Sequence, residues 1–378
     1  MNPQGEVFRR LQEHLDRQAL GFPSTKSGAE IRFLEQLFTP EEARLALTLS
    51  YKPAPTDQVV RSAAPELTRE QTLAFLESMV SKGAIGWKVK EGVDHWFLLP
   101  MVIGMHEAQD GLIIPEIHVE ADTYLSTRQW GVAFLSASLP QMRTIPVGIE
   151  IPVEHPIASY DQIRAIVESA PGPFAVLPCI CREGEAWKGK PCRQTTRSET
   201  CLGFGNAAAN ILRRKHGREI TRDEVISILK RNEEDGLVLQ PSNTRNPSFV
   251  CSCCGCCCGM LGMQKGLPHP LDFWTSNFQA VVDVVACKAC GKCAKRCQVN
   301  AVALAGSPLK AAIDPNRCVG CGLCVTTCPN HAIRLQKKSA ETIPPADEEE
   351  LYERMHGARK GKLETARMVA RLVLGMKQ

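Results

Sequence analysis

CKACGKCAKRC (Cys287 to Cys297) and CVGCGLCVTTC (Cys318 to Cys328) share one spacing, C-x2-C-x2-C-x3-C, and each cysteine of the second run lies 31 residues beyond its counterpart. Cysteines ionise to soft thiolates, so a run of this kind reads as a metal-ligand set. One run alone would suit a zinc ion. A pair of zinc knuckles or a disulfide scaffold is the plainer alternative, but neither accounts for two matched runs. The flanks repeat as well. Apolar Val281 to Val285 precedes the first run and Ala301 to Leu304 follows it, while Ala311 to Ile313 and Ala332 to Leu335 flank the second. The expected unit is a βαβ-like half used twice.

These tandem runs resemble a bacterial two-cluster ferredoxin. The resemblance implies two [4Fe–4S] clusters, with the fourth cysteine of each run crossed to the other run's cluster. It assigns Cys287, Cys290, Cys293 and Cys328 to one cube, and Cys318, Cys321, Cys324 and Cys297 to the other. Three cysteines at two-residue intervals wrap a tight loop around one cube. The x3 step then opens a short helix that carries the fourth sulfur to its neighbour. One residue departs from the pattern: Pro329 follows Cys328, but Gln298 follows Cys297. The expected consequence is a looser turn, a more exposed second cube or a shifted potential, with no ligand lost.

The chain has 378 residues, room for two to four modules, and 18 cysteines that begin only at Cys179. Met1 to Leu20 is charged and helix-like rather than an export signal, and no apolar run is long enough to span a membrane. Many cysteines without an export signal point to a reducing cytoplasm, where they are ligands rather than disulfides. A net charge of +4 argues for no particular nucleic acid, and it leaves room for an acidic redox partner.

Helical patterning dominates the first 82 residues. Thr39-Pro40-Glu41-Glu42 is a capping box, a short helix is expected at Thr56 to Val60, and Thr68 to Gln71 caps a third with Leu73, Leu76 and Val80 on its apolar side. Ile85 to Val89, a turn at Glu91-Gly92, and Trp96 to Leu99 then read as a hairpin. Three helices and a hairpin resemble a winged helix. DNA binding through the third helix is one reading of it, but Glu70 and Glu77 offset Arg69, so partner docking is the default and nucleic acid is not expected. Asp110 to Tyr124 carries Glu116, His118 and Glu120, which read as solvated groups with no assigned role.

The middle of the chain reads as an α/β piece: strand-like Thr144 to Ile149, a helix from Tyr160 to Ser169, and apolar Phe174 to Pro178. The strand runs into Cys179, Cys181, Cys192 and Cys201, a set that satisfies zinc or iron–sulfur equally. Gly203 and Gly205 open a helix over Asn206 to Lys215. With no suitable βαβ strand before them, they read as close packing rather than a phosphate site. Thr221 to Glu224 caps a helix that echoes Leu67 to Ile85. Then come Cys251, Cys253, Cys254, Cys256, Cys257 and Cys258, six cysteines in eight residues. Unprotected, they would be an oxidation hazard. Adjacent extended residues point to opposite faces, so this one segment can feed two sites. The ten middle thiols suffice for two clusters with two to spare, or for one unusual cluster.

The order of these cysteine groups resembles a group of multidomain 4Fe–4S-binding proteins of anaerobic bacteria. The Cys-Cys-Gly triplets at Cys253 and Cys257 are similar to those of heterodisulfide-reductase-type subunits, although the nearest downstream C-x-x-C, Cys287 and Cys290, is already taken. The expected fold class is α+β. It comprises a winged-helix-like helical domain (1–125), a cysteine-rich α/β domain (126–275), a ferredoxin-like two-cluster domain (276–338), and a linker with a C-terminal helix (339–378). The expected function is electron transfer with a redox partner protein, through two ferredoxin clusters and one or two more iron–sulfur clusters in the middle, zinc being the lesser alternative there. An oxidoreductase with its catalytic cluster at Cys251 to Cys258, aided by Arg182 and His269, is a second reading. A redox-sensing DNA regulator is a third.

Overall fold

The computed structural model describes residues 3–109, 115–148 and 161–378. Asp110, Ile149 and Tyr160, which bound three of the expected segments, lie outside these. Helix and sheet are mixed, and the chain divides into two compact units.

The first unit takes Met1–Leu139, Gly205–Glu219 and Tyr352–Thr365. Its elements begin with α1 (Pro3–Asp16), α2 (Ala29–Leu37), α3 (Pro40–Ala46), β1 (Ala54–Pro55), α4 (Thr56–Ser62) and α5 (Arg69–Ser81), followed by β2 (Ile85–Lys90), β3 (Val93–Leu98), α6 (Pro115–Leu125) and α7 (Arg128–Leu135). Both expected capping boxes form. Thr39 Oγ1 accepts from the Glu42 amide at 3.2 Å while Glu42 accepts from the Thr39 amide at 2.7 Å, and Thr68 and Gln71 repeat the exchange. Each such cap contributes about 1 kcal/mol. The strands are antiparallel in the order β1-β3-β2. The hairpin turn sets Glu91 at φ 53° and Gly92 at φ 76°, the left-handed pair that a two-residue turn between twisted strands requires. Leu73 is only half-buried, and Thr72 and Met79 join Leu76 and Val80 on the inner face of α5. His118 is buried, not solvated: it is 5% exposed, and its ring stacks on His106 at 5.7 Å. Glu120 turns away to Arg32 at 2.8 Å.

The remaining elements are α8 (Ile163–Ser169), β4 (Phe174–Pro178), α9 (Ile180–Trp187), β5 (Glu199–Phe204), α10 (Asn206–Arg214), β6 (Arg218–Ile220), α11 (Arg222–Glu234), β7 (Val238–Pro241), β8 (Phe249–Cys253) and α12 (Gly259–Gly266). They continue with β9 (Phe278–Val282), α13 (Lys292–Arg296), β10 (Val302–Ala305), β11 (Lys310–Ile313), α14 (Leu323–Thr327), β12 (Ile333–Lys337), α15 (Glu348–Gly357) and α16 (Lys362–Val373). Within the first unit, α10 lies against α5 and β2. The Arg213 guanidinium stands 4.3 Å from the Trp87 ring centroid and pairs with Glu77, and Asn210 donates to the Trp87 carbonyl.

The second unit is Pro140–Phe204, Ile220–Leu351 and Ala366–Gln378. Its main sheet has the order β6-β4-β5-β8-β7, with antiparallel neighbours at β4·β5, β5·β8 and β7·β8. Phe204, Leu202, Val176, Val225, Leu239, Val250 and Leu261 form part of its core, and buried cysteines of both regions belong to the same cluster. Burying each such large side chain stabilises by about 2 kcal/mol.

Several expected segments differ from what forms. Thr144 to Val147 is not a regular strand. Its amides reach different partners instead of one ladder: Thr144 N–H donates to the Thr275 carbonyl, Ile145 to Leu239 and Val147 to Cys321. Arg143 anchors this segment from a site 1% exposed, donating to the carbonyls of Ser242 and Thr244 at 2.6 and 2.7 Å and facing Asp161 at 3.4 Å. A strand, β5, runs directly into Gly205 and α10, but without the βαβ context, as expected. Its sheet neighbours are antiparallel, so no phosphate-binding crossover arises. The strand before the first cysteine run ends at Val282, and Val284 and Val285 are exposed in a turn. The tail forms two helices, α15 and α16, because the chain breaks at residues 358–361.

Candidate metal centres

All 18 cysteines lie in the second unit and none forms a disulfide. The tandem runs produce a local two-fold arrangement that follows the 31-residue offset. Helix α13 corresponds to α14, and the left-handed residues Ala289, Gly291 and Asn300 correspond to Gly320, Gly322 and His331. Strand β9 pairs antiparallel with β12 and β10 with β11, Val282 opposite Ile333 and Ile313 opposite Val302. Each half therefore gives its strands to the other half, instead of closing on itself.

The sulfurs follow the same symmetry. Ala311 N–H donates to Cys287 Sγ at 3.4 Å and Ala280 N–H to Cys318 Sγ at 3.3 Å. Ala301 N–H donates to Cys297 Sγ at 3.2 Å and Ala332 N–H to Cys328 Sγ at 3.3 Å. Such bonds hold a thiolate in place and tune any iron–sulfur cluster it ligates. Which thiols sense one another is also telling. Cys293 lies within the field of Cys290 and Cys328, whereas Cys318, Cys321 and Cys324 all lie within that of Cys297, with Cys293 reaching Cys324 more weakly. Cys328 of the second run thus lies near Cys293 of the first, and Cys297 of the first near the three leading cysteines of the second.

The halves differ in burial. Lys288, Cys290, Lys292 and Lys295 are exposed on the first loop, while Val319 and Leu323, which match Lys288 and Lys292, are buried. A methyl on Gly320 would stand 2.2 Å from the Phe278 carbonyl, so the second loop needs glycine where the first carries Ala289. Burial pushes the Cys321 thiol up to about 12 and raises Cys318 and Cys324 too, while the Ala311 and Ala289 amides hold Cys287 below the ordinary thiol value.

Gln298, in the place of the absent proline, neither loosens nor exposes its turn. It is 4% exposed, and its Oε1 accepts from the Gly255 N–H at 2.8 Å while its Nε2 donates to the Arg296 carbonyl at 3.1 Å. Lys265 donates to the Gly255 carbonyl, and a methyl on Gly255 would stand 2.3 Å from the Gln298 carbonyl. Gln298 thus joins the first of the tandem cysteine runs to the six-cysteine segment.

The ten middle thiols separate into two groups. Cys192, Cys254, Cys256 and Cys257 have sulfurs all within 4.8 Å of one another, with 3.6 Å for Cys192 to Cys254, 3.7 Å for Cys192 to Cys256 and 3.6 Å for Cys256 to Cys257. A tight turn from Cys254 to Cys257 gathers three of them. Although burial opposes it, the Arg193 amide and the neighbouring thiols bring Cys256 down to about 7, while burial raises Cys254 to about 11.

The other six form a closed ring of thiol contacts. Cys179 touches Cys181 and Cys201, Cys181 touches Cys258, Cys258 touches Cys253, Cys253 touches Cys251, and Cys251 touches Cys201. Cys179 and Cys258 are the N-caps of α9 and α12, Cys201 is on β5, and Cys251 and Cys253 occupy one face of β8. The six-cysteine segment feeds both groups: β8 supplies the ring, the turn supplies the quartet, and Cys258 returns to the ring. Sequence spacing did not separate the groups, because Cys192 sits alone on a loop between α9 and β5.

Arg182 is 4% exposed and donates to the Ser252 carbonyl at 3.0 Å, while its Nε and Nη2 have no hydrogen-bond partner among the described residues. Burial works against its charge, yet thiolates at Cys179, Cys201 and Cys254 hold its pKa above the ordinary value. His269 donates from Nε2 to the Gly375 carbonyl at 3.0 Å. Among the described residues no helix is long and apolar enough to cross a membrane.

No curated protein and no solved structure matches the chain. A family model described as a 4Fe-4S binding domain matches residues 311–334, from β11 through the second cysteine loop into β12. The thiols of that loop, their amide donors and the enclosing strands suit such a cluster. The chain is an iron–sulfur protein with at least one [4Fe–4S] site.

Proposed function

We propose that the chain is an electron-transfer protein of the multidomain ferredoxin type found in anaerobic bacteria. In this reading Cys287, Cys290, Cys293 and Cys328 hold one [4Fe–4S] cluster and Cys318, Cys321, Cys324 and Cys297 a second. The middle cysteines hold metal of their own, including at least one further iron–sulfur cluster, and the protein exchanges electrons with a partner oxidoreductase in the cytoplasm. The observation that carries this is the symmetric set of four amide-to-sulfur bonds, to the first and fourth cysteine of each run. Each cluster, when bound, stores one electron at a potential set by burial, charge and hydrogen bonds to sulfur. The chain's own part is to fix the sulfurs and exclude water. Exposed Cys290 and its lysines form the face through which a partner is reached.

The functional division goes with this reading: residues 1–125 winged-helix-like, 126–275 cysteine-rich, 276–338 ferredoxin-like and 339–378 tail. The sheet order β1-β3-β2, with β1 between α3 and α4 and the hairpin after α5, supports the winged-helix part. Because α10 covers α5 and β2, a docking role fits it better than DNA reading.

Anaerobically purified protein is the test. Iron and acid-labile sulfide above about eight per chain are expected, with the low-temperature EPR of two coupled reduced clusters. An iron content near four, or one isolated cluster signal, would sink the two-cluster reading.

A further inference from the structure

The division of the middle thiols into a compact quartet and a wider ring carries a sharper statement. A single metal ion with four thiolates is tetrahedral, and bonds of about 2.3 Å place its sulfurs about 3.8 Å apart. The quartet shows 3.6 to 3.7 Å at three of its contacts, and all four of its sulfurs are mutually within 4.8 Å. Among the described residues it is the only such set. The two ferredoxin quartets lack this compactness. A cube interposes four irons and four sulfides between its thiolates, so those thiolates cannot all crowd together. The ring shares with the ferredoxin quartets only the lack of a compact group: its thiols interact in sequence around it, but no three of the six come mutually within 4.8 Å. Two tetrahedral ions sharing six thiolates would need such triples, so the ring does not fit a zinc pair.

A second observation comes from charge. A buried guanidinium with two donor atoms unfilled, facing Cys179, Cys201 and Cys254, is costly unless an anion with acceptors meets it. A thiolate-bound cluster carries net negative charge and exposes sulfides that accept hydrogen bonds. The N-termini of α9 and α12 begin at ring cysteines and favour negative charge in the same place.

We propose that the middle region holds two centres of different kind: a single tetrahedral metal ion, zinc or iron, at Cys192, Cys254, Cys256 and Cys257, and an iron–sulfur cluster within the ring of Cys179, Cys181, Cys201, Cys251, Cys253 and Cys258, with Arg182 as its buried counter-cation. The proposal rests on the middle thiols being metal-bound, as argued above. The single ion staples the turn that Gln298 joins to the ferredoxin run, and the ring centre is the redox-active one.

Two double variants of the full-length holoprotein test it, with the EPR of the ferredoxin pair reporting that the fold persists. Cys192→Ser with Cys256→Ser is expected to lose about one metal ion per chain and no sulfide. Cys201→Ser with Cys251→Ser is expected to lose about four or more irons together with matching sulfide. Loss of iron and sulfide in cluster amounts from the first variant overturns the proposal, as does loss of metal without sulfide from the second. Unchanged metal in both overturns it together with the middle-region part of the proposed function, while an intact ferredoxin signal leaves the rest of that function standing. Should either variant fail to fold, the native mass of the wild-type holoprotein answers. Whole clusters plus one further ion are expected, and whole clusters alone overturn the proposal.

Discussion

At the scale of single residues, position 298 is the most instructive. A proline there would carry no side-chain acceptor for the Gly255 amide, and Gln298 supplies one from a buried site. Gln298→Ala leaves that amide without its partner and is expected to cost about 1–3 kcal/mol, read as a lowered denaturant midpoint in the holoprotein. Gly255→Ala should cost more, since its methyl would enter the space of the Gln298 carbonyl. Cys297→Ala tests the crossing. If the quartets are as the thiol fields indicate, the cluster of Cys318, Cys321 and Cys324 is disturbed and that of Cys287, Cys290 and Cys293 keeps its EPR signal. The reverse result would mean uncrossed ligation. Arg143 is a third case. Its removal leaves the buried Asp161 carboxylate, which burial already pushes above its ordinary pKa, with the Asn277 amide but no counter-charge there, and frees the Ser242 and Thr244 carbonyls; Arg143→Ala is expected to destabilise by about 3 kcal/mol in chemical unfolding.

Among the elements, the two cysteine loops share geometry and differ in what surrounds them. The first cysteine loop and α13 present Lys288, Lys292 and Lys295 around exposed Cys290, while the matching loop before α14 is packed against Phe278 and the segment at Val147. A cationic rim accelerates encounter with anionic partners, and salt screens the effect. Reversing the three lysines to glutamate should slow oxidation of the reduced protein by an anionic complex such as hexacyanoferrate by about tenfold at low salt, and speed it with a cationic ammine complex. Equal rates with both probes, before and after reversal, would remove this loop as the electron exit. Helices α5 and α11 make a quieter pair. Each is 13 residues, capped by Thr68 or Thr221, and each stops at a left-handed glycine, Gly83 or Gly236. The echo between Leu67–Ile85 and the stretch after Thr221 is thus a repeated helix-to-strand unit, set by the same capping and termination chemistry.

For the whole molecule, the cysteines are also packing material. Cys253, Cys258, Cys287, Cys293, Cys318 and Cys324 belong to the core of the second unit, where burial raises the pKa values of Cys293, Cys318 and Cys324, and neighbouring thiols with burial raise those of Cys253 and Cys258. A buried free thiol stays protonated at neutral pH, so metal binding must displace its proton and is linked to folding. Prolonged chelation with oxidation is therefore expected to lower amide-exchange protection in β4, β5, β8 and β9, while α1, α2 and α3 of the first unit stay protected. Equal loss in both would contradict that local linkage. The sequence determined what was local: capping boxes at Thr39, Thr68 and Thr221, the hairpin at Glu91-Gly92, and two loops whose spacing fits cysteine to iron–sulfur chemistry. These follow from interactions a few residues apart. Tertiary structure decided the rest. It sorted ten middle thiols into a quartet and a ring, buried Gln298 and His118, made one of the tandem cysteine loops basic and exposed and the other enclosed, and brought Cys201 and Cys254, distant in sequence, to Arg182. Spacing along a chain limits which ligands can share a loop, but distances between separate strands and helix ends are set only when the sheet closes and its core packs.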